Sequence, residues 1–267
     1  MRIPCFRVFS VLLVLLTASM VGATEPIRLR VLSYNIHHAE GVDRKLDVER
    51  IARVIRSVEP DLVALQEVDK KVKRTQVVDQ PAELARLTKT HVVFGANIEL
   101  QGGHYGNAVL SRFPIAKHKN HLLPNIDGSE QRGVIEAEVT LPESKQPLLL
   151  LATHLDFRAD GQERLASAKA INDMAAKHPE RPTLLAGDLN ATPESKTLER
   201  FASMWTLANE KPMATVPVNE PTKQIDFILS RPRDRWKVIE VKVLDEAIAS
   251  DHRAIFAVLE LLPSKRG

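Results

Sequence analysis

Short apolar runs, each stopping at a polar residue, set the rhythm of this chain. Leu29-Arg30-Val31-Leu32-Ser33-Tyr34 reads as a strand that ends at Asn35. Asp47 then reads as a helix N-cap. Val48, Ile51, Val54, Ile55 and Val58 follow it at helical spacing until Pro60 stops the helix. Leu62-Val63-Ala64-Leu65 is a continuous apolar run of the kind buried on both faces of a sheet, with Glu67 just past its end. A second helix is expected over residues 79–90, with Pro81 in its first turn and Leu84 and Leu87 on one face. Residues 107–111 form a short apolar strand, and 134–140 a mostly alternating strand with one wet face.

The second half repeats the theme. Residues 148–152 make another buried-strand run, ending at Thr153-His154, and Leu165, Ala168, Ile171 and Ala175 mark a helix over 160–177. A strand over 183–186 ends at Gly187-Asp188, and a helix over 193–202 is entered through Pro193 in its first turn. Residues 225–229, with Asp226 near the start, and then 236–244 and 254–261 close the chain as strands. Strands and helices interleave, yet several consecutive strands lack a helix between them. The pattern predicts an α/β fold with mixed sheets rather than a pure βαβ array.

Composition changes the picture first at the N-terminus. Arg2 and Arg7 flank the start of an apolar stretch over 8–21, and Val21-Gly22-Ala23 supplies small residues of a cleavage site. Residues 1–23 are expected to be a signal peptide, cut near Ala23, with an apolar core short for a bilayer span. The remaining chain, 24–267, is expected to be exported to the periplasm or the medium as one catalytic domain. The single cysteine, Cys5, falls inside the leader, so disulfides and thiol chemistry are excluded from the mature chain. About 244 residues remain, without a Gly/Ser-rich linker, repeat or low-complexity block. Removing Arg2 and Arg7 from the formal +3 leaves 35 Lys+Arg against 34 Asp+Glu, about +1. That balance lacks the basic excess of a dedicated nucleic-acid binder, and aromatics at 4% offer few stacking platforms for single strands.

The candidate chemistry lies at the ends of the strand-like runs. Asn35, Glu67, His154, Asp188, Asn190 and Asp251-His252 all sit where such runs stop, and strands packed side by side would bring them to one rim. Phosphate-ester hydrolysis needs a cation for the phosphoryl oxygens, a positioner for water and a donor for the leaving oxygen. Carboxylate and amide oxygens suit Mg²⁺ or Mn²⁺, and histidine suits the proton and charge work. Asp188 and Asn190 alternate across Leu189, so both side chains can face the rim.

Seven short motifs occur in order: Ser33-Tyr34-Asn35, Ala64-Leu65-Gln66-Glu67, Tyr105-Gly106-Asn107-Ala108, Thr153-His154-Leu155-Asp156, Gly187-Asp188-Leu189-Asn190, Gln224-Ile225-Asp226 and Ser250-Asp251-His252. Together they resemble the endonuclease/exonuclease/phosphatase superfamily, over roughly residues 29–261. The resemblance implies a four-layer α/β sandwich, two mixed β-sheets packed face to face with helices outside. It also implies roles. Glu67 is the main metal ligand, Asp251 a second metal-side carboxylate, and Asn35 the amide that supports metal and phosphate. Asp188 aligns or deprotonates the attacking water, while Asn190 orients Asp188 or contacts phosphate. His252 stabilises the phosphoryl oxygens, and Asp226 accepts from its ring and fixes its tautomer. His154 resembles the histidine of deoxyribonuclease- and sphingomyelinase-like members; abasic-site endonucleases carry Tyr and Asn in this region. Tyr105 and Asn107 are expected to bind substrate. Arg132 resembles an arginine before a strand glycine that binds phosphate or pairs a carboxylate.

Other features fall outside the shared pattern. His37 and His38 follow Asn35 and could reach the pocket, and His104-Tyr105 is expected on a mobile Gly-rich loop. Lys70, Lys71, Lys73 and Arg74 read as a solvated face. The sequence thus predicts an exported, Mg²⁺- or Mn²⁺-dependent phosphoesterase, foremost a phosphodiesterase or nuclease, acting as a monomer without a stable protein partner. Its substrate is expected to be nucleic acid or, alternatively, a phospholipid or glycosylphosphoinositide headgroup. No apolar docking hairpin stands out between Asp188 and Asp226, which weighs against lipid. A non-catalytic phosphate-binding module is disfavoured, because every expected site residue is present.

Overall fold

The structure, a computed structural model, describes residues 25–142, 144 and 147–264, and the expected signal peptide lies outside the described residues. The first half of the chain forms β1 (Ile27–Asn35), α1 (Val48–Ser57), β2 (Leu62–Lys70), α2 (Gln80–Thr88), β3 (His91–Leu100), β4 (Gly103–Ser111), β5 (Ile115–Leu122) and β6 (Gly133–Val139). The second forms β7 (Leu148–His154), α3 (Gln162–Ala176), β8 (Thr183–Asp188), α4 (Lys196–Ala202), β9 (Thr206–Leu207), β10 (Asp226–Arg231), β11 (Trp236–Val243) and β12 (Ile255–Leu261).

Two six-stranded mixed sheets result, in spatial order β11-β12-β1-β2-β4-β3 and β5-β6-β7-β8-β10-β9. Each contains one parallel pair, β1 with β2 and β7 with β8. The two parallel crossovers run through α1 and α3. The order β1-β2-β4-β3 in one sheet recurs as β7-β8-β10-β9 in the other, so equivalent strand ends are brought to the same rim.

Alternation along the strands makes three apolar layers. Leu29, Val31 and Ala64 of the first sheet meet Leu150, Ala152, Leu184, Ala186 and Ile228 of the second in the central core. The opposite faces bury Leu32 and Leu65 against Ile51, Ile55 and Leu84, and Leu151 and Leu185 against Ala168, Ile171 and Phe201. Full burial of a Leu or Ile side chain stabilises by roughly 1.5–3 kcal/mol, so these layers supply the main favourable free energy. The helices start where side chains satisfy the first amides. Asp47 accepts from Arg50 N at 2.7 Å and Asp79 from Ala82 N at 3.2 Å.

Several expectations need correction. Ser195, not Pro193, begins α4: its hydroxyl accepts from Leu198 N at 3.3 Å, and Pro193 lies before the helix. His104 and Tyr105 belong to β4 rather than to a mobile loop. The β3–β4 hairpin turns through Gln101 (φ 46°) and Gly102 (φ 84°), and positive φ at both positions is the turn that fits the strand twist. Strands β3 and β5 carry too weak an apolar alternation to be read from sequence. Both are sheet edges, and β5, with Lys117 and Lys119, is exposed along most of its length. Arg74 is exposed, as expected of the stretch over 70–74, while its guanidinium also forks onto the buried Asp69 at 2.8 and 2.9 Å.

Gly187 needs its missing side chain. A Cβ there would overlap the Thr153 carbonyl oxygen on the neighbouring β7. Gly187→Ala is therefore expected to destabilise the chain by roughly 1–3 kcal/mol through forced backbone shifts. Denaturant unfolding monitored by circular dichroism checks this; an unchanged midpoint would remove the packing argument.

Candidate active site

The alternation that builds the central core also positions the site. On β7, Leu148, Leu150 and Ala152 face the other sheet, and the next residue in that phase is His154. On β8 the same phase runs Leu184, Ala186, Asp188, and on β10 Ile228 is preceded by Asp226. His154 pairs directly with Asp188 across β7–β8, and Asp188 with Asp226 across β8–β10. In the first sheet β1 carries Leu29 and Val31 in the core and ends, in phase, at Asn35. One rim of the inter-sheet space thus changes from apolar to polar at a common level.

Asp188 Oδ2 is the meeting point. Asn35 Nδ2 donates to it at 3.1 Å, His154 Nε2 lies 3.4 Å away and His252 Nε2 3.7 Å away. Its other oxygen accepts from the Asn190 backbone N–H at 2.9 Å. The Asn190 side-chain nitrogen lies 3.0 Å from His154 Nε2 and donates to Leu155 O at 3.0 Å. His252 Nδ1 is 3.0 Å from Asp226 Oδ2, which also accepts from Thr215 Oγ1 at 2.6 Å. Ser250 Oγ donates to Asn35 O at 2.7 Å and accepts from His252 N–H at 3.2 Å, tying the Ser-Asp-His segment to the end of β1.

The two histidines differ in charge. Burial, and then the positive charges of Arg132 and His252, hold His154 well below the ordinary histidine range. Arg132 Nη1 is 3.2 Å from His154 Nδ1. A guanidinium only donates, so Nδ1 accepts from Arg132; the Asp188 carboxylate then favours the neutral ring's proton on Nε2, and the Asn190 amide nitrogen, also a donor, bonds Leu155 O rather than the ring. The contact to Asp188 is thus a neutral donor meeting a carboxylate rather than an ion pair. For His252, burial disfavours the charge, but Asp226, Asp188 and Asp251 outweigh it and lift the ring to about 10. Burial first, and the charge of Asp226 second, push Asp188 up to about 7, against the opposing pull of His252. A carboxylate poised near neutrality, beside an imidazolium, is suited to take a proton from water.

Glu67 sits where β2 bulges. Gln66 and Glu67 together oppose the single residue Asn107 of β4, between the pairs Leu65–Ala108 and Val68–Gly106. The bulge puts Glu67 at φ 56°, a left-handed conformation that costs a non-glycine residue roughly 1–3 kcal/mol. Glu67 Oε1 accepts from Asn35 Nδ2 at 3.0 Å, while Asn35 Oδ1 accepts from His37 N–H at 3.1 Å. Asn35 therefore braces both carboxylates as a donor. Asp251 is exposed, its Oδ1 accepting from Ser250 Oγ at 3.3 Å. The donor set fits a hard divalent cation. The carboxylates of Asp188, Asp226 and Asp251 surround one imidazolium and Glu67 joins them through Asn35, and that negative excess would repel a phosphate ester without a compensating cation.

The remaining expected residues lie behind this rim. Arg132, 3% exposed, pairs with Glu130 Oε1 at 2.8 Å besides reaching His154. Asn107 Nδ2 donates to Gly133 O at 3.0 Å, stitching β4 to β6 across the sheets, and its buried Oδ1 has no partner among the described residues. Tyr105 is buried beneath the Arg74 guanidinium, which lies 5.4 Å from its ring centroid. Burial, then the charge of Glu67, pushes its hydroxyl far above the usual range, so it stays a neutral phenol. Two supporting groups carry no sequence signal. Thr215, which orients Asp226, lies in a loop without periodicity. Glu163 looks like any first-turn helix acid, yet it is fully buried. Its Oε2 accepts from Ile126 N, Ser129 Oγ and Arg158 Nη2 at 2.8, 2.8 and 2.6 Å, which fastens to α3 the loop that precedes Arg132.

Two mixed sheets packed face to face, with helices outside and an Asp-His-Asn rim, make an α/β sandwich. The profile of the Endonuclease/Exonuclease/phosphatase family matches residues 32–252, and the chain belongs to that family. Its members hydrolyse phosphate esters with the help of a divalent cation. The chain is 29% identical over 257 residues to the uncharacterized protein YbhP of Escherichia coli K12, covering 91% of this chain and 100% of that protein. It is similar to the endonuclease/exonuclease/phosphatase from Beutenbergia cavernae, with a TM-score of 0.76 and 25% identity over 90% of this chain and 73% of that one. It shares its fold with a mannosyl-6-phosphatase from Bacteroides thetaiotaomicron (TM-score 0.72, 19% identity, 86% and 99% of the two chains).

Removing the carboxylate of Asp226 must lower the His252 pKa, because attraction is lost while burial remains. In Asp226→Asn the ring is expected to lose its proton well below the native value of about 10. NMR titration of the histidine resonances reads this directly, and an unshifted His252 would contradict the pairing.

Proposed function

We propose that this chain is an exported, Mg²⁺- or Mn²⁺-dependent phosphodiesterase that cleaves a P–O bond by in-line attack of water. The carrying observation is Asp188 Oδ2 between the neutral His154 and the charged His252, 3.4 and 3.7 Å away. Asp188 aligns the water and takes its proton, which its position near neutrality allows. His252, kept charged by Asp226, donates from Nε2 to the phosphoryl oxygens as negative charge grows on them. His154 presents a neutral Nε2–H and Asn190 an amide on the same side, so charge is stabilised from two directions. A divalent cation held by Glu67 and Asp251, with Asn35 beside them, would supply the charge neutralisation that the carboxylates alone oppose. Export rests on the leader-like residues 1–23.

Nucleic acid is the substrate class this reading favours. A phospholipid or glycosylphosphoinositide headgroup is the second, and one observation speaks for it. Phe157 and Ile248, 67% and 50% exposed, flank the His154 and Asp251-His252 segments as apolar side chains open to solvent.

Supercoiled plasmid incubated with the purified 24–267 chain tests the reading. Nicking is expected with Mg²⁺ or Mn²⁺, abolished by EDTA and reduced by roughly 10²–10⁴ in His252→Ala. A loss under tenfold would sink the role of His252. Metal-dependent release of headgroups from phospholipid vesicles, without nicking, would move the substrate to the lipid class.

A further inference from the structure

Two residues after Asn35 the backbone turns left-handed between Ile36 and Ala39, both of which are buried in the outer core. His37 (φ 44°), His38 (φ 43°) and Ala39 (φ 60°) are three successive non-glycine residues in the left-handed region. Each costs roughly 1–2 kcal/mol relative to ordinary backbone, and such strain persists where function needs it. What the strain achieves is convergence. Neighbouring side chains on a strand point apart, yet here the two imidazoles meet edge to face with centroids 4.5 Å apart. One ring nitrogen of each and a carboxylate oxygen of Glu67 all lie within 4.8 Å of one another.

The ring nitrogens are prepared for a ligand. His37 Nδ1 lies 3.0 Å from the Glu40 carbonyl oxygen, which only accepts, so Nδ1 carries the proton and Nε2 keeps its lone pair. A histidine that binds metal characteristically donates its other N–H to such a carbonyl. His38 faces the Glu40 carboxylate with Nε2 at 3.8 Å, while its Nδ1 is buried and has no hydrogen-bond partner among the described residues. Burying an imidazole nitrogen without a partner is costly, and a cation would remove that cost. The segment is also held from outside: Gln80 Nε2 donates to His38 O at 2.7 Å and Asp47 N to Ala39 O at 2.9 Å.

We propose that His37, His38 and Glu67 form a second cation position, beside the one expected at Glu67 and Asp251, that takes a borderline transition ion of the Zn²⁺ or Co²⁺ class. Two imidazoles and one carboxylate are the donor set such ions favour, leaving a fourth position open, whereas Mg²⁺ prefers oxygen donors and water. Glu67 is shared, so the proposal rests on the proposed-function reading of Glu67 as a metal-side carboxylate. It does not rest on the identity of the substrate.

The test uses the 24–267 chain, freed of metal by chelation, and reads binding rather than turnover. Zn²⁺ is titrated calorimetrically and Co²⁺ by its visible absorption, for the native chain and for His37→Asn/His38→Asn. Asparagine tolerates left-handed backbone and removes both imidazoles. The expected result is a Zn²⁺ affinity at least roughly tenfold weaker in the double variant, with loss of the Co²⁺ band. His37→Asn alone, at a partly exposed position, gives the same reading if the double variant fails to fold. Unchanged Zn²⁺ affinity and Co²⁺ spectrum in a folded variant would overturn the proposal. A native chain that binds Zn²⁺ through these residues but hydrolyses no phosphodiester would uphold the site and remove only the phosphodiesterase reading.

Discussion

One carboxylate oxygen, Asp188 Oδ2, joins the two halves of this molecule. Asn35 reaches it from the first sheet at 3.1 Å, and His154 and His252 approach it at 3.4 and 3.7 Å. Asp188 is 1% exposed, and a buried carboxylate without such partners would be strongly destabilising. Both sheets therefore have to present their strand ends at the same level and in the same phase. The direct pairing of His154, Asp188 and Asp226 across β7, β8 and β10 meets that demand in one row. The apolar inner columns below the row hold it rigid, and rigid placement is what a hydrolytic site requires.

The charge distribution follows from the same packing. Burial alone would discharge every titratable group in the row, so the outcome at each depends on its neighbours. His154 receives Arg132 and His252 and stays neutral; His252 receives three aspartates and stays charged. Identical side chains thus do different work a few ångströms apart, one as a fixed neutral donor and one as a fixed cation. Asp188, pushed towards neutrality, is the group between them whose proton affinity is matched to water chemistry. Left-handed backbone occurs on both sides of the site, at Glu67 and the run from His37 to Ala39 on the metal side and at Asn190 beside Asp188, as well as in turns away from it.

Much of this was legible in the sequence because the row continues hydrophobic alternation. A polar residue in phase with Leu150 and Ala152, or with Leu184 and Ala186, points where they point, so mixed sheets with a polar rim follow from the pattern, while the face-to-face pairing of two sheets was implied by the family resemblance. Edge strand β5 escaped because exposure along most of its length leaves little alternation to read, and β3 because Val92, Val93 and Phe94 are apolar on both faces. The bulge at Glu67 also escaped: it depends on one unmatched residue in the pairing with β4, which no local spacing reveals. Glu163 and Thr215 act through partners distant in sequence, Ile126 for one and Asp226 for the other. The convergence of His37 and His38 needs a backbone conformation that histidine seldom adopts, so adjacent histidines gave no warning of a shared ligand position.

The central claim is that the Asp188 row is a single phosphoryl-binding site at the mouth between the sheets. A crystal structure of the 24–267 chain grown with Mn²⁺ and inorganic phosphate tests it most directly, since manganese is located by its anomalous signal. The account predicts phosphate hydrogen-bonded to His252 Nε2 and to His154 or Asn190, with manganese bound by Glu67. Phosphate and manganese bound away from this rim, while the row keeps its geometry, would contradict it.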